Sequence, residues 1–236
     1  MIDVEAERQH LLEQILAHAE PEYQAGSAMV MRTRLKIYGV RVPHVREIAG
    51  NWQRTHREIA PEDLMALVEA LWDGESHEER ALGMELLGRY RRIPALTWDH
   101  FDRWRRKLDN WGLTDGLGTG LLGSWILKDP DTRLGHLGDL IADEDVWSRR
   151  LALVATVPIN RGHTGFTIPD LTFQLVDRVK EERHPMITKA VSWALREMVK
   201  LHPDQVAAYL EANRGVLAAH VVREVTNKLR TGLKSG

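Results

Sequence analysis

Residues 61–90 read Pro-Glu-Asp-Leu-Met-Ala-Leu-Val-Glu-Ala-Leu-Trp-Asp-Gly-Glu-Ser-His-Glu-Glu-Arg-Ala-Leu-Gly-Met-Glu-Leu-Leu-Gly-Arg-Tyr, and their spacing decides the fold class. Leu64, Leu67, Val68 and Leu71 recur at i, i+3, i+4 and i+7, which lines one face of a helix. Pro61 sits where the first turn tolerates a missing N–H. Asp73-Gly74 then interrupts the pattern, and Leu82, Leu86 and Leu87 resume it in a second helix opening near His77. The unit is a helix pair.

The same pattern extends in both directions. Leu11, Leu12, Ile15 and Leu16 follow it, as do Leu151, Val154 and Ala155. No Asn-Gly or Asp-Gly separates alternating runs, as a hairpin would require; Asp115-Gly116, like Asp73-Gly74, interrupts a helical pattern. Breaks fall at Glu20-Pro21, Ala60-Pro61, Asp129-Pro130, His184-Pro185 and His202-Pro203. Helices that read as the second of a pair open near His77, Asp115, Val146, Met186 and Val216, at intervals of roughly 30–40 residues, the period of HEAT-like arrays. The expectation is an all-α fold: one solenoid domain of HEAT-like helix pairs over residues 1–236, with a concave surface and no internal linker. A compact non-repeating bundle is the structural alternative.

The chain has 236 residues, 43% of them apolar, enough to bury a substantial core. It has no Cys, which excludes disulfides, thiolate nucleophiles and Cys-based metal sites. No apolar run approaches the roughly 18 residues that span a bilayer. Met1-Ile2-Asp3-Val4-Glu5 has neither the basic start nor the apolar core of a signal peptide. A soluble, cytoplasmic protein is expected.

The formal charge of −2 conceals a division. Residues 1–145 carry 18 basic and 26 acidic side chains, a net of −8, whereas residues 146–236 carry 14 and 8, a net of +6. Such asymmetry points to a polyanionic partner, with a solvated basic face as the plain alternative. Arg outnumbers Lys 24 to 8, which suits bidentate recognition of phosphate but also follows from a GC-rich genome. Several second helices place a cation early, in Arg80-Ala81-Leu82, Arg150-Leu151-Ala152 and Lys189-Ala190-Val191. A cation there opposes the helix dipole. Either a shared task on one face or repeated contacts between neighbouring helices would account for it.

Gly118-Thr-Gly-Leu-Leu-Gly123 is a literal G-x-G-x-x-G, but no strand precedes it, so no nucleotide cofactor is expected and the glycines are read as permitting close helix packing. The eleven His residues form no H-E-x-x-H motif and no cluster, so no metal is expected. No Ser lies in a G-x-S-x-G elbow. What does recur is a set of indoles, cations and one carboxylate. Trp111 and Asp115 stand four apart; Lys189, Trp193 and Arg196 stand at i, i+4 and i+7; Trp147 precedes Ser148-Arg149-Arg150. Taken singly, each Trp reads as core and Asp115 as a helix N-cap.

At these residues the chain resembles the AlkD family of alkylpurine DNA glycosylases, built from HEAT-like repeats. The likeness covers roughly residues 25–230. It includes Tyr38-Gly39-Val40-Arg41-Val42-Pro43, Leu71-Trp72-Asp73, and Leu86-Leu87-Gly88-Arg89-Tyr90. Its specific part is Trp111-x-x-x-Asp115, Trp147-x-x-Arg150 and Lys189-Ala190-Val191-Ser192-Trp193-Ala194-Leu195-Arg196-Glu197, in that order. The resemblance implies that Trp111 and Trp193 flank a lesion nucleotide, that Asp115 is the catalytic carboxylate, and that Arg150 holds DNA phosphate. Arg149, Lys189, Arg196 and Tyr38 are further candidate DNA contacts. It also implies excision without drawing the base into a deep pocket, unlike most glycosylases. The chain departs from the pattern at Gly112, where relatives often carry an acidic residue.

The residue types suit that chemistry. A purine alkylated at N3 or N7 is cationic and leaves as a neutral base, so a general acid is dispensable. A fixed carboxylate stabilises the positive charge that develops on the sugar. Indole faces attract the cationic lesion. The expected partner is double-stranded DNA containing alkylated bases, with no cofactor and no membrane, and a monomer is the simplest state. The rival readings are a HEAT-repeat protein that binds damaged or branched DNA without cutting it, and a protein-interaction solenoid. Residues 159–168 read as a loop inserted between repeats.

Overall fold

The helices begin where the sequence supplies caps. Ser76 Oγ accepts from Glu79 N at 3.1 Å while Glu79 Oε2 accepts from Ser76 N at 3.0 Å, a reciprocal capping box. Asp3 and Asp145 cap by accepting from Ala6 N and Ser148 N, and Pro21, Pro61, Pro130, Pro169, Pro185 and Pro203 each open a helix. The computed structural model describes residues 1–90 and 96–234; among these the regular structure is helical, with no β-strand. The all-α fold of paired helices expected from the hydrophobic period is the fold observed.

The chain divides into two compact units, Met1–Gly116 and Leu117–Gly236. The first holds α1 (Val4–Ala17), α2 (Pro21–Met31), α3 (Val42–Thr55), α4 (Pro61–Trp72), α5 (His77–Arg89), α6 (Trp98–Arg105) and α7 (Trp111–Gly116). Helix α5 is its centre, packed against α3, α4 and α7. Leu67, Leu71, Trp72, Leu82, Leu86 and Leu87 are fully buried there; each such aliphatic side chain contributes about 1.5–3 kcal/mol. Trp72 and Trp104 meet with ring centroids 5.2 Å apart, so these two indoles are core. Leu11 and Ile15 are buried on α1, but Leu16 is 45% exposed and lies outside the core.

The second unit begins with a π-helical turn, Leu117–Leu122, followed by α8 (Gly123–Leu127), α9 (Pro130–Arg133), α10 (Gly135–Ile141), α11 (Val146–Ile159), α12 (Pro169–Asp177), α13 (Pro185–Met198), α14 (Pro203–Ala212) and α15 (Ala219–Thr231). The later helices α11, α13 and α15 pack in succession, and each also packs on its own predecessor, α10, α12 or α14. This is the helix-pair repeat in its plainest form. Two helix starts differ from the sequence reading. The last helix opens at Ala219 instead of near Val216, and α7 opens at Trp111 instead of near Asp115.

Arginines near helix openings join successive pairs. Arg80 on α5 donates through Nη1 to the Lys107 carbonyl at 2.9 Å, and Arg150 on α11 donates through Nη1 to the Met186 carbonyl at 2.5 Å. Arg183 makes the same kind of contact to the Val216 carbonyl, at 2.7 Å. Arg80 and Arg150 oppose the dipoles of the helices that carry them, and all three cations bond a carbonyl of the next pair. Lys189, at the matching place in α13, is exposed and has no such bond among the described residues.

The 159–168 loop is closed at its base by buried Asn160, whose Oδ1 accepts from Ile168 N at 2.9 Å and whose Nδ2 donates to Thr172 Oγ1 at 2.8 Å. Among the described residues no helix is long and apolar enough to cross a membrane.

Candidate functional site

Helix α7 carries Trp111 and Asp115, and its approach is fixed by a short polar chain. Asn110, fully buried, accepts from Leu113 N through Oδ1 at 3.0 Å and its carbonyl accepts from Thr114 Oγ1 at 2.8 Å. The N-cap is therefore Asn110, and Asp115 lies in the second turn. The reading of Asp115 as a cap is displaced by a better-placed neighbour. Trp111 and Asp115, four apart on one helix, share a face and are both half-buried.

The loop before α7 is tied to the end of α2. Asp109 accepts from Thr33 Oγ1 at 2.5 Å and from Arg34 N at 2.8 Å. Burial alone would raise the Asp109 carboxyl, but these bonds, with that from Asn110, outweigh it and hold the group below the ordinary carboxylate range. Gly112 closes the same junction. A Cβ there would stand 2.9 Å from Met31 Cε and 3.1 Å from His77 Cε1, so a side chain at this position would require the end of Met31 and the His77 ring to shift. The departure from the AlkD pattern at this position therefore coincides with a close packing point. Burial pushes His77 below the ordinary imidazole range.

Tyr38 lies in the same unit. Its backbone N, with those of Gly39 and Val40, donates to the carboxylate of Glu78, which is 3% exposed. Three successive amides on one carboxylate form an anion nest filled from within. Gly39 supports it with φ +81, and a Cβ there would fall 2.6 Å from Gln24 N. The phenol of Tyr38 is half-buried, which raises its pKa.

The remaining candidates belong to the second unit. Arg150 is 5% exposed and reaches the first turn of α13 at Met186. Arg149 faces Glu182, Nε to Oε1 at 2.9 Å, and donates to the Asp143 and Glu144 carbonyls. Arg196 donates to Ser192 Oγ at 3.2 Å and lies 3.6 Å from Glu224; burial lowers its pKa, opposed by the two nearby carboxylates, Glu224 and Glu197. Trp193 is half-buried on α13, between Lys189 and Arg196 along one face. Packing of α11 on α13 thus brings Arg150 to the helix that carries Lys189 and Trp193. Arg149 and Arg196 are occupied by contacts of the fold, while Lys189 is open to solvent. The exposed cations of α15, Arg223 and Arg230, contributed to the basic balance of the sequence but their i, i+7 spacing was the signal that would have singled them out. Among the described residues no three His, Cys, Asp or Glu side chains converge on one point.

The chain matches the sequence profile of the DNA alkylation repair enzyme family over residues 11–229. No curated protein sequence matches it. Among solved structures it is similar to a predicted DNA alkylation repair enzyme from Enterococcus faecalis, with a TM-score of 0.72 and 19% identity over 89% of this chain and 96% of that one. It is also similar to AlkD2 from Streptococcus mutans, with a TM-score of 0.62 and 14% identity over 98% and 99% of the two chains. A third likeness is to smu.31 from Streptococcus mutans UA159, with a TM-score of 0.57 and 16% identity over 81% and 92%. At these identities the structural matches speak to the fold, and the profile speaks to descent: the chain belongs to the DNA alkylation repair enzyme family.

Proposed function

We propose that this protein is a monofunctional DNA glycosylase that hydrolyses the N-glycosidic bond of cationic N-alkylated purines, of the 3-methyladenine and 7-methylguanine type, in duplex DNA. The observation that carries the reading is α7, which fixes Trp111 and Asp115 one turn apart on a helix held by Asn110, Asp109 and Gly112, in a chain of this family.

In the proposed reaction the C1′–N9 electron pair leaves with the purine, cancelling the ring's positive charge. Water oxygen bonds to C1′, and its proton passes to solvent or to the Asp115 carboxylate. Asp115 stabilises the cationic sugar as the bond breaks. Trp111 and Trp193 offer indole faces to the cationic nucleotide, at about 0.5–2 kcal/mol each, without a deep pocket for a flipped base. Lys189, which is open to solvent, contacts phosphate, and Arg150, anchored at Met186, both sets α13 and meets the backbone. Arg149, Arg196 and Tyr38 are secondary contacts. The protein acts as a monomeric single repeat domain, without a cofactor.

The test is release of 7-methylguanine from duplex DNA by wild type and Asp115→Asn. The variant is expected to be about 10²–10³-fold slower, the usual consequence of removing one preorganised electrostatic group. No release by wild type, or full activity in the variant, overturns the assignment; DNA binding that survives without any release moves the protein to the non-catalytic class.

A further inference from the structure

The last helix carries a feature that no part of the reaction uses. α15 packs on α13 and α14 with Val221 and Val225 buried, and its opposite side presents Arg223, Thr226, Asn227 and Arg230, at i, i+3, i+4 and i+7. These residues line a cleft of about 590 Å³. Two further cations reach it from outside the helix. Arg214 comes from the turn before α15. Lys234 comes from the segment after Gly232, whose φ of +74 turns the chain back, a turn held by Asn227 Nδ2 donating to the Leu233 carbonyl at 3.3 Å.

The cleft therefore gathers four cations. Its carboxylate, Glu224, is already engaged: it accepts from Ser192 Oγ at 2.6 Å and lies 3.6 Å from Arg196 Nε and 3.7 Å from Lys234 Nζ. Arg214 pairs with Glu211 at the rim. Arg223 and Arg230 are exposed and, among the described residues, have no protein partner. Unpaired planar guanidinia in a concave, polar setting suit phosphate oxygens in bidentate geometry. A single phosphate does not reach both, since seven residues of helix separate them by roughly 10 Å. Along that axial distance one strand of B-form DNA presents about three phosphates.

We propose that the α15 cleft binds the sugar–phosphate backbone of duplex DNA through Arg223 and Arg230, with Arg214 and Lys234 flanking. The inference rests on the DNA-directed reading above and extends it to α15, whose cleft is lined by none of the residues given a role in that reaction. It gives a structural place to part of the positive balance of residues 146–236.

The test is the salt dependence of binding to an undamaged duplex. Each phosphate contact contributes about 0.9 to the slope of log affinity against log salt. Arg223→Ala/Arg230→Ala is therefore expected to make the slope shallower by about 2, whereas Arg223→Lys/Arg230→Lys keeps it. Arg178→Ala/Lys200→Ala, which removes two exposed cations elsewhere in the same unit, leaves it unchanged. An unchanged slope in the first variant, or an equal drop in the last, overturns the proposal. Release of 7-methylguanine is measured on the same samples. A slope change with a wild type that releases no base keeps the cleft and removes the glycosylase, and base release without a slope change does the reverse.

Discussion

Arg150 on α11 spans to α13 and donates to the Met186 carbonyl at 2.5 Å, with its side chain nearly excluded from solvent at 5% exposure. Met186 lies in the first turn of the helix that carries Lys189 and Trp193. The arginine that family resemblance assigns to DNA phosphate is thus also a joint between two helix pairs.

The two roles separate experimentally. Arg150→Ala removes a charge-assisted, part-buried bond to the Met186 carbonyl, and the expected loss is about 1.5–3 kcal/mol of stability, read from the urea midpoint. Arg150→Lys keeps the charge but not the planar fork, so it should recover little of that stability. If Arg150 serves phosphate alone, the midpoint stays put in both variants while the salt slope of DNA binding falls by about 1 in the alanine variant.

Glu78 makes a second prediction. Its buried carboxylate takes the amides of Tyr38, Gly39 and Val40. Glu78→Ala leaves several buried donors without an acceptor, each costing about 1–3 kcal/mol. The variant should lose most of its stability, and Glu78→Gln, which keeps one acceptor oxygen, should lose less. Gly39→Ala should be as damaging as Glu78→Ala for a different reason: it forces a side chain into φ +81 and against Gln24 N. Thermal unfolding of the three variants gives the order.

Much of this was legible in the sequence, and the exceptions have physical causes. The helix-pair period, the Pro-opened helices and the buried faces of α4 and α5 follow from local spacing, which sequence carries directly. The Tyr38-Gly39-Val40 stretch could be matched to a family but not explained, because its reason is Glu78, far along the chain and brought beside it only by folding. Asp115 read as a cap because Asp before an apolar run favours that role; Asn110 takes the role because the helix begins one turn earlier, at Trp111. The early cations of second helices read equally as a DNA face or as structural ties. Arg80 and Arg150 are ties, and their acceptors are carbonyls, which leave no mark in a sequence.

Acidification should act through Asp109. Its folded carboxyl is held below the ordinary range, so protons favour the unfolded chain. Its contribution is complete above about pH 4 and is lost as pH falls through the lower folded value. Asp109→Asn should lower the urea midpoint at neutral pH, with the gap to wild type closing below about pH 4. His77 is linked to it: burial depresses its folded value, partly opposed by Glu78 and Asp109, so its contribution is complete above about 6.5 and falls away below that, more steeply in Asp109→Asn, where one opposing carboxylate is gone. A gap that stays constant from neutral pH to strong acid would show that Asp109 does not support α7 in this way.

The glycines of Gly118-Thr-Gly-Leu-Leu-Gly123 should divide according to what lies above them. A Cβ on Gly118 would stand 2.5 Å from Val154 Cγ2 and 3.3 Å from Ala155 N, and one on Gly123 would stand 2.7 Å from the Ala155 carbonyl. Both meet α11, and at Gly123 the obstacle is backbone that cannot rotate away. Gly120 is exposed, with nothing within 4 Å of the added carbon. Gly120→Ala should therefore gain up to about 1 kcal/mol from reduced freedom of the unfolded chain. Gly118→Ala and Gly123→Ala should each lose about 1–3 kcal/mol to overpacking, Gly123→Ala the more. Urea midpoints decide it: equal effects at all three positions would mean that the motif is held together as a unit, by something other than its packing on α11.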